Sequence, residues 1–68
     1  MMAIQINGYT IEVKKIYNRE TSFIILTDEQ GKRHYFNMEK PNGKWVIRNS
    51  ETVPSFIVKI EKDISKLI

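Results

Sequence analysis

Cysteine is absent from this sequence of 68 residues, and histidine occurs only once. Without cysteine there is no disulfide, and one histidine supplies too few ligands for a structural zinc site. A domain of this length buries only about 60% of the surface that its unfolded chain exposes, so its stability is marginal. We therefore predict one domain over residues 1–68 that self-associates, most simply as a homodimer, or docks on a larger protein.

Long apolar runs are also missing, and nothing approaches the roughly 20 residues that a membrane-spanning helix needs. The first ten residues, MMAIQINGYT, lack the basic and continuous apolar segments of a secretory signal. We therefore expect a cytoplasmic protein with no membrane partner. Its net charge of +3 is compatible with nucleic acid but does not by itself indicate it.

Motifs for catalysis and cofactor binding are lacking too. The three glycines, Gly8, Gly31 and Gly43, are isolated and do not form a phosphate-binding loop. No serine lies in a nucleophile motif, and His34 alone has no second histidine or cysteine with which to bind a metal. We therefore predict a protein that is not an enzyme, with no catalytic residues, no cofactor and no metal.

What the sequence does contain is a series of short strands. The pair Asn7-Gly8 lies between alternating runs and predicts a tight hairpin, because both central positions of a type I′ turn need positive φ. The apolar run at residues 23–26 indicates a strand that is covered on both faces. Strands are predicted at residues 2–6, 9–16, 22–27, 33–38 and 44–48, with a polar connection at 17–21.

An amphipathic helix is predicted at about residues 53–67, where apolar residues recur every three or four positions. Pro54 suits its first turn, where a missing N–H is not needed. The predicted fold class is α+β: an antiparallel meander of four to five strands, packed on one face by a single C-terminal helix. The covered face is expected to carry Ile4, Ile6, Ile11, Val13, Ile24, Leu26, Phe36, Met38, Trp45 and Ile47.

The opposite face of the predicted sheet is unusual because it mixes apolar, aromatic and cationic residues. A water-facing side would be mostly threonine, lysine, glutamate and serine, and an exposed apolar patch usually marks a contact site. The candidate interaction face consists of Phe23, Ile25, Arg33, Tyr35, Lys44, Val46 and Arg48.

Two functions compete for this face. In the first, it binds a second copy of the chain or a larger protein, which would complete a small core. In the second, it binds single-stranded DNA or RNA: bases stack on Tyr35 and Phe23, and phosphates meet Arg33, Lys44, Arg48 and Lys14. Binding of this face to protein is the leading prediction, and binding to single-stranded nucleic acid is the alternative.

The predicted order of antiparallel strands followed by one helix resembles the layout of the Pur-repeat family of single-strand binders. The resemblance lies in topology, and no residue motif is shared. It implies a fold and an alternative function, but it assigns no role to any residue here.

A second candidate contact is the end of the predicted helix, where Ile64, Leu67 and Ile68 make the terminus strongly apolar. If the sheet is too short to cover this tip, we expect it to pair with a second helix across a dimer axis.

Overall fold

A five-stranded antiparallel sheet forms one layer of the molecule in the computed structural model, which describes residues 2–18 and 20–68. The strands follow each other in chain order, so the sheet is a meander, and C-terminal helices pack on it. The predicted α+β class is therefore confirmed. The strands are β1 (Met2–Ile6), β2 (Tyr9–Asn18), β3 (Thr21–Thr27), β4 (Arg33–Glu39) and β5 (Val46–Ile47).

The predicted hairpin between the first two strands is confirmed. Ile6 pairs with Tyr9 across a two-residue turn, in which Asn7 has φ 48° and Gly8 has φ 85°. Both values are positive, as a type I′ turn requires, and asparagine and glycine reach this region most easily.

Four strands differ in length from their prediction: β3 begins one residue earlier, β4 ends one residue later, and β2 and β5 differ by more. β2 continues to Asn18 instead of ending at residue 16, with register shifts against β3 between Val13 and Lys15 and between Ile16 and Asn18. These irregularities let the strand extend through residues that were predicted as a connection. Arg19, which belongs to the same predicted connection, lies outside the described residues.

At the other end of the sheet, β5 has two residues where five were predicted. It pairs only with Met38 and Glu39 of β4. The chain then leaves the sheet at Asn49, which is left-handed with φ 53°, and enters a short 3₁₀ helix at Ser50–Thr52.

The single predicted helix is divided into α1 (Ser55–Lys59) and α2 (Glu61–Leu67). Pro54 has extended backbone, so the helix begins one residue after it. Ile60 separates the two parts with φ −103° and ψ 10°, and its N–H donates to the oxygens of Ile57 and Val58. The bond from Ile60 to Ile57 makes a 3₁₀ turn, in which residues three apart align. Ile60 therefore stays on the same side as Ile57, facing the sheet.

The core lies between the helices and one side of the sheet. Eight of the ten residues predicted for the covered face belong to it; Ile6 packs against its border and Ile4 is half-buried. From the helices, Ile57, Ile60 and Ile64 complete this core. The members from the sheet are Ile11, Val13, Ile24, Leu26, Phe36, Met38, Trp45 and Ile47.

Candidate interaction face and open sheet edge

The far face, meaning the side of the sheet opposite α1 and α2, brings together residues from β3 and β4. Phe23 lies opposite Asn37, and Ile25 lies opposite Tyr35 in the β3–β4 register. Directly opposed residues share a face, and the face repeats every second residue along a strand. Arg33 and Tyr35 therefore lie on the same side as Phe23 and Ile25, as the sequence predicts.

An aromatic pair stands at the centre of the far face. The rings of Phe23 and Tyr35 are stacked, with their centroids 6.1 Å apart and an angle of 14° between their planes. Phe23 is half-buried, whereas 59% of Tyr35 is exposed. Tyr35 thus presents a large flat ring to solvent, held in place by the ring beneath it.

The aliphatic residues of the candidate face are less exposed to solvent than Tyr35. Ile25 is 7% exposed and supports the face from within, so its side chain offers almost no contact surface. Val46 is half-buried on β5. Tyr35 is therefore the most exposed of the aromatic and aliphatic residues on this face.

Carboxylates accompany the cations predicted to meet phosphates. Arg48 Nε lies 3.3 Å from Glu39 Oε1, and Lys14 Nζ lies 4.0 Å from Glu12 Oε2. Lys44 is exposed, precedes β5 and lines a groove beside α2. The face therefore carries both signs of charge, whereas single-strand binders use a groove of one sign along the nucleic-acid backbone.

Beside the far face, the first half of β4 forms an open sheet edge. The N–H of Arg48 donates to the carbonyl oxygen of Asn37 at 2.9 Å, which shows that the polar groups of Asn37 point away from β3. Because this direction alternates along an antiparallel strand, the backbone groups of Arg33 and Tyr35 also point outward. Among the described residues, no backbone hydrogen bond joins Arg33 or Tyr35 to the chain beyond β5.

A groove of about 500 Å³ runs along this edge, between β4 and the chain from Arg48 to Ile57. The buried residues Phe36 and Ile57, with half-buried Val53, form its apolar part. Exposed Pro54 also lines it, and the remaining lining is polar or cationic: Arg33, His34, Tyr35, Asn37, Arg48, Asn49 and Thr52.

Asn49 creates this groove, and the sequence analysis did not recognise its role. Its left-handed backbone turns the chain away from β4 directly after Arg48, and its carbonyl oxygen accepts bonds from the N–H and hydroxyl of Thr52. Asparagine is among the few residues that adopt this conformation readily. The Asn49-Ser50 pair before a polar stretch was the available signal.

The outer side of β5, next to this groove, is covered by a side chain from α2. Ile47 does not pair its N–H with β4, and that N–H donates instead to Glu61 Oε2 at 2.8 Å. The first residue of α2 thus covers the exposed side of β5, a common protection for edge strands. The described structure shows no corresponding cover over Tyr35 of β4.

Two of the three residues of the predicted helix tip pack on the protein's own core. Ile64 is 1% exposed and belongs to the core, and Ile68 packs against the core border. Leu67 is 44% exposed. The sheet is therefore long enough to cover most of this tip, which removes the reason for pairing it with another helix.

His34, the single histidine, is fixed by Asp28. The distance from His34 Nε2 to Asp28 Oδ2 is 3.0 Å, and the imidazole contacts Phe56 edge-on. Oδ1 of Asp28 accepts the N–H groups of Gln30 and Lys32, each at 2.9 Å. The hydrogen bond from His34 is the largest cause that lowers the pKa of Asp28, helped by these N–H groups and opposed by desolvation.

The arrangement around Asp28 organises the turn between β3 and β4. The backbone N–H of Asp28 donates to the carbonyl oxygen of Lys32, and the carbonyl oxygen of Asp28 accepts the N–H of Gly31. Within the described part of the chain, no three histidine, aspartate or glutamate side chains are grouped so that they could hold a metal ion.

Comparisons with protein-family models, with curated proteins and with solved structures find no match to this chain. Over residues 2–18 and 20–68, no helix has the length and apolar character needed to cross a membrane.

Proposed function

We propose that this chain is a small, non-catalytic protein-binding module of the cytoplasm that self-associates through the far face of its sheet. The observation that carries the proposal is the stacked pair of Phe23 and Tyr35, with 59% of Tyr35 exposed. Exposed tyrosine supplies large contact area at a low cost in side-chain entropy, and it is enriched at protein interfaces.

The size of the molecule supports self-association. A standard interface needs about 800 Å² from each partner, roughly one sixth of the 4716 Å² of accessible surface. The molecule measures 33 × 27 × 17 Å, so it is flat and a sheet face is one of its broadest surfaces. Stacking two far faces would cover the aromatic pair and add to a small core.

Balanced charge favours protein over nucleic acid as the partner. Glu39 stands beside Arg48 and Glu12 stands near Lys14, so a phosphate backbone would meet carboxylates on the same surface. In a dimer, carboxylates and cations from two copies can pair with each other across the interface. Single-stranded nucleic acid remains the competing occupant, because an exposed ring also stacks on bases.

Sedimentation velocity over a wide range of protein concentration tests this proposal. We expect the mass of the wild type to rise from monomer to dimer, and we expect Tyr35→Thr to raise the dissociation constant by about tenfold or more, as loss of a central aromatic does. Threonine retains the preference for strand, so the variant should fold. Leu67→Lys, which changes the exposed apolar residue of α2, is the matched control and should leave the dimer intact.

A parallel titration measures binding of a fluorescent single-stranded oligonucleotide at low and moderate salt. Binding with steep salt dependence that is lost in Tyr35→Thr and Arg48→Ala, together with a monomeric mass, would replace the proposal by its alternative. A dimer that Leu67→Lys disrupts and Tyr35→Thr does not would move the interface to the helices.

A further inference from the structure

We infer that the open edge of β4 and its groove bind an extended acidic peptide, which adds to the sheet as a sixth strand. This site lies beside the far face and goes beyond self-association. It is built from the outward backbone groups of Arg33 and Tyr35 and from the groove wall at 48–57.

The backbone defines the shape of the partner. Arg33 and Tyr35 direct N–H and C=O groups into the groove with the two-residue spacing of a strand. An extended peptide satisfies such groups with main-chain hydrogen bonds, which is the basis of recognition by strand addition. A helix has no free groups at this spacing, because its own hydrogen bonds use them.

Charge selects an acidic partner. The fully charged side chains that line the groove among the described residues are Arg33 and Arg48, both exposed, and no carboxylate lines it. Arg48 uses Nε toward Glu39, and its guanidinium has further N–H donors on its two terminal nitrogens. Carboxylates on the peptide would therefore gain charge-assisted hydrogen bonds at this site.

The two walls of the groove predict an alternating pattern in the peptide. Side chains of an added strand point in turn toward the helices and toward the far face. On the helix side they meet the apolar part formed by Phe36, Val53 and Ile57. On the other side they lie near Arg33 and Tyr35, so small apolar residues should alternate with acidic ones.

The opposite edge of the sheet is a competing site with a different character. The groove near β1 is lined by Gln5, Ile6, Asn7, Asp63, Lys66 and Leu67, so it combines a carboxylate with a cation. An acidic peptide gains less there than beside Arg33 and Arg48, and this difference makes the β4 edge the preferred site.

The test is fluorescence anisotropy with a labelled nine-residue peptide in which glutamate alternates with valine. We expect saturable binding that weakens with salt, and we expect no binding of the matched peptide in which lysine replaces glutamate. Arg33→Gln and Arg48→Gln should each weaken binding by about tenfold, the equivalent of one lost charge-assisted hydrogen bond. Lys59→Gln, which changes an exposed cation of α1 away from the groove, should have no effect.

A second pair of peptides tests strand pairing separately from charge. N-methylation of the valines or of the glutamates blocks alternate N–H groups of the peptide, and only one of the two sets faces β4 in an added strand. One methylated peptide should lose binding while the other keeps it. Equal behaviour of the two peptides would overturn the inference, as would backbone shifts confined to β1 in an NMR titration.

The variant Tyr35→Thr separates this inference from the proposed dimer. It removes the ring that self-association needs but retains the N–H that faces the groove, so the variant should be monomeric and still bind the peptide. Failure of Tyr35→Thr to bind at millimolar peptide would overturn strand addition, and a wild-type monomer that binds the peptide would overturn only self-association.

Discussion

At the scale of single residues, Tyr35 belongs to two adjoining surfaces. Its ring projects from the far face and stacks on Phe23, while its backbone borders the open groove. The sequence predicted that Phe23 and Tyr35 share a face, because a strand repeats every second residue. It could not predict the burial of Ile25, which depends on the side chains that surround it.

Asp28 gives a residue-scale prediction about pH. The pKa of Asp28 is lower in the folded state than its unfolded value of 3.8, so the ionised carboxylate stabilises the fold. This contribution is fully present above pH 3.8 and is lost as the pH falls through the lower pKa of the folded state. We expect Asp28→Asn to lower the free energy of unfolding near pH 5. The difference from the wild type should shrink below pH 4.

Urea unfolding of the wild type and Asp28→Asn from pH 2 to pH 7 measures this effect. Glu29→Gln changes the neighbouring exposed carboxylate and serves as the control. A stability difference between wild type and Asp28→Asn that stays constant down to pH 2 would show that the ionised carboxylate does not stabilise this turn.

At the scale of elements, the sequence predicted all five strands of the sheet but not how short the last one is. Alternation and the Asn7-Gly8 turn define a hairpin whose pattern is purely local. The end of β5 depends on one left-handed residue, Asn49. A change of backbone conformation at one residue does not alter the spacing of apolar residues, so the sequence pattern could not predict it. The open edge of β4 follows from that residue and was therefore missed.

The division of the helix was missed for a similar reason. Ile60 is neither glycine nor proline, and its apolar spacing fits a continuous helix. In the structure Ile60 is 6% exposed and contributes to the core from the junction of α1 and α2. The break therefore follows from packing against the sheet, a tertiary effect that a helical pattern does not contain.

Truncation of Ile60 tests how strongly the helices hold the sheet. We expect Ile60→Ala to cost about 2–5 kcal/mol through lost burial and a residual cavity. A domain of this size has only about 3–5 kcal/mol in total from its core, so the isolated variant should be largely unfolded at room temperature. Thermal melting followed by circular dichroism measures this.

Val58→Ala is the matched control for that experiment, because Val58 lies on α1 with 37% of its surface exposed. It should melt close to the wild type. A cooperative transition of Ile60→Ala at the wild-type temperature would mean that the helices contribute little to the stability of the sheet.

At the scale of the whole molecule, two short helices cover one side of five strands, and we propose that a second copy of the chain covers the other side. Glu61 covers the edge at β5, whereas the β4 edge faces a cationic groove. The far face and this groove meet at Tyr35, so the surfaces proposed for self-association and for peptide binding are adjacent. The α+β layout was predictable from local patterns, but this adjacency required the register between β3 and β4.

The most direct test of the central claim is an NMR dilution series of the isotope-labelled protein, from the highest soluble concentration to the lowest measurable one. Backbone shifts should change with concentration around Phe23, Tyr35 and Val46, with no change at Leu67. Concentration-dependent shifts confined to the helices, or none over the whole range, would contradict self-association through the far face.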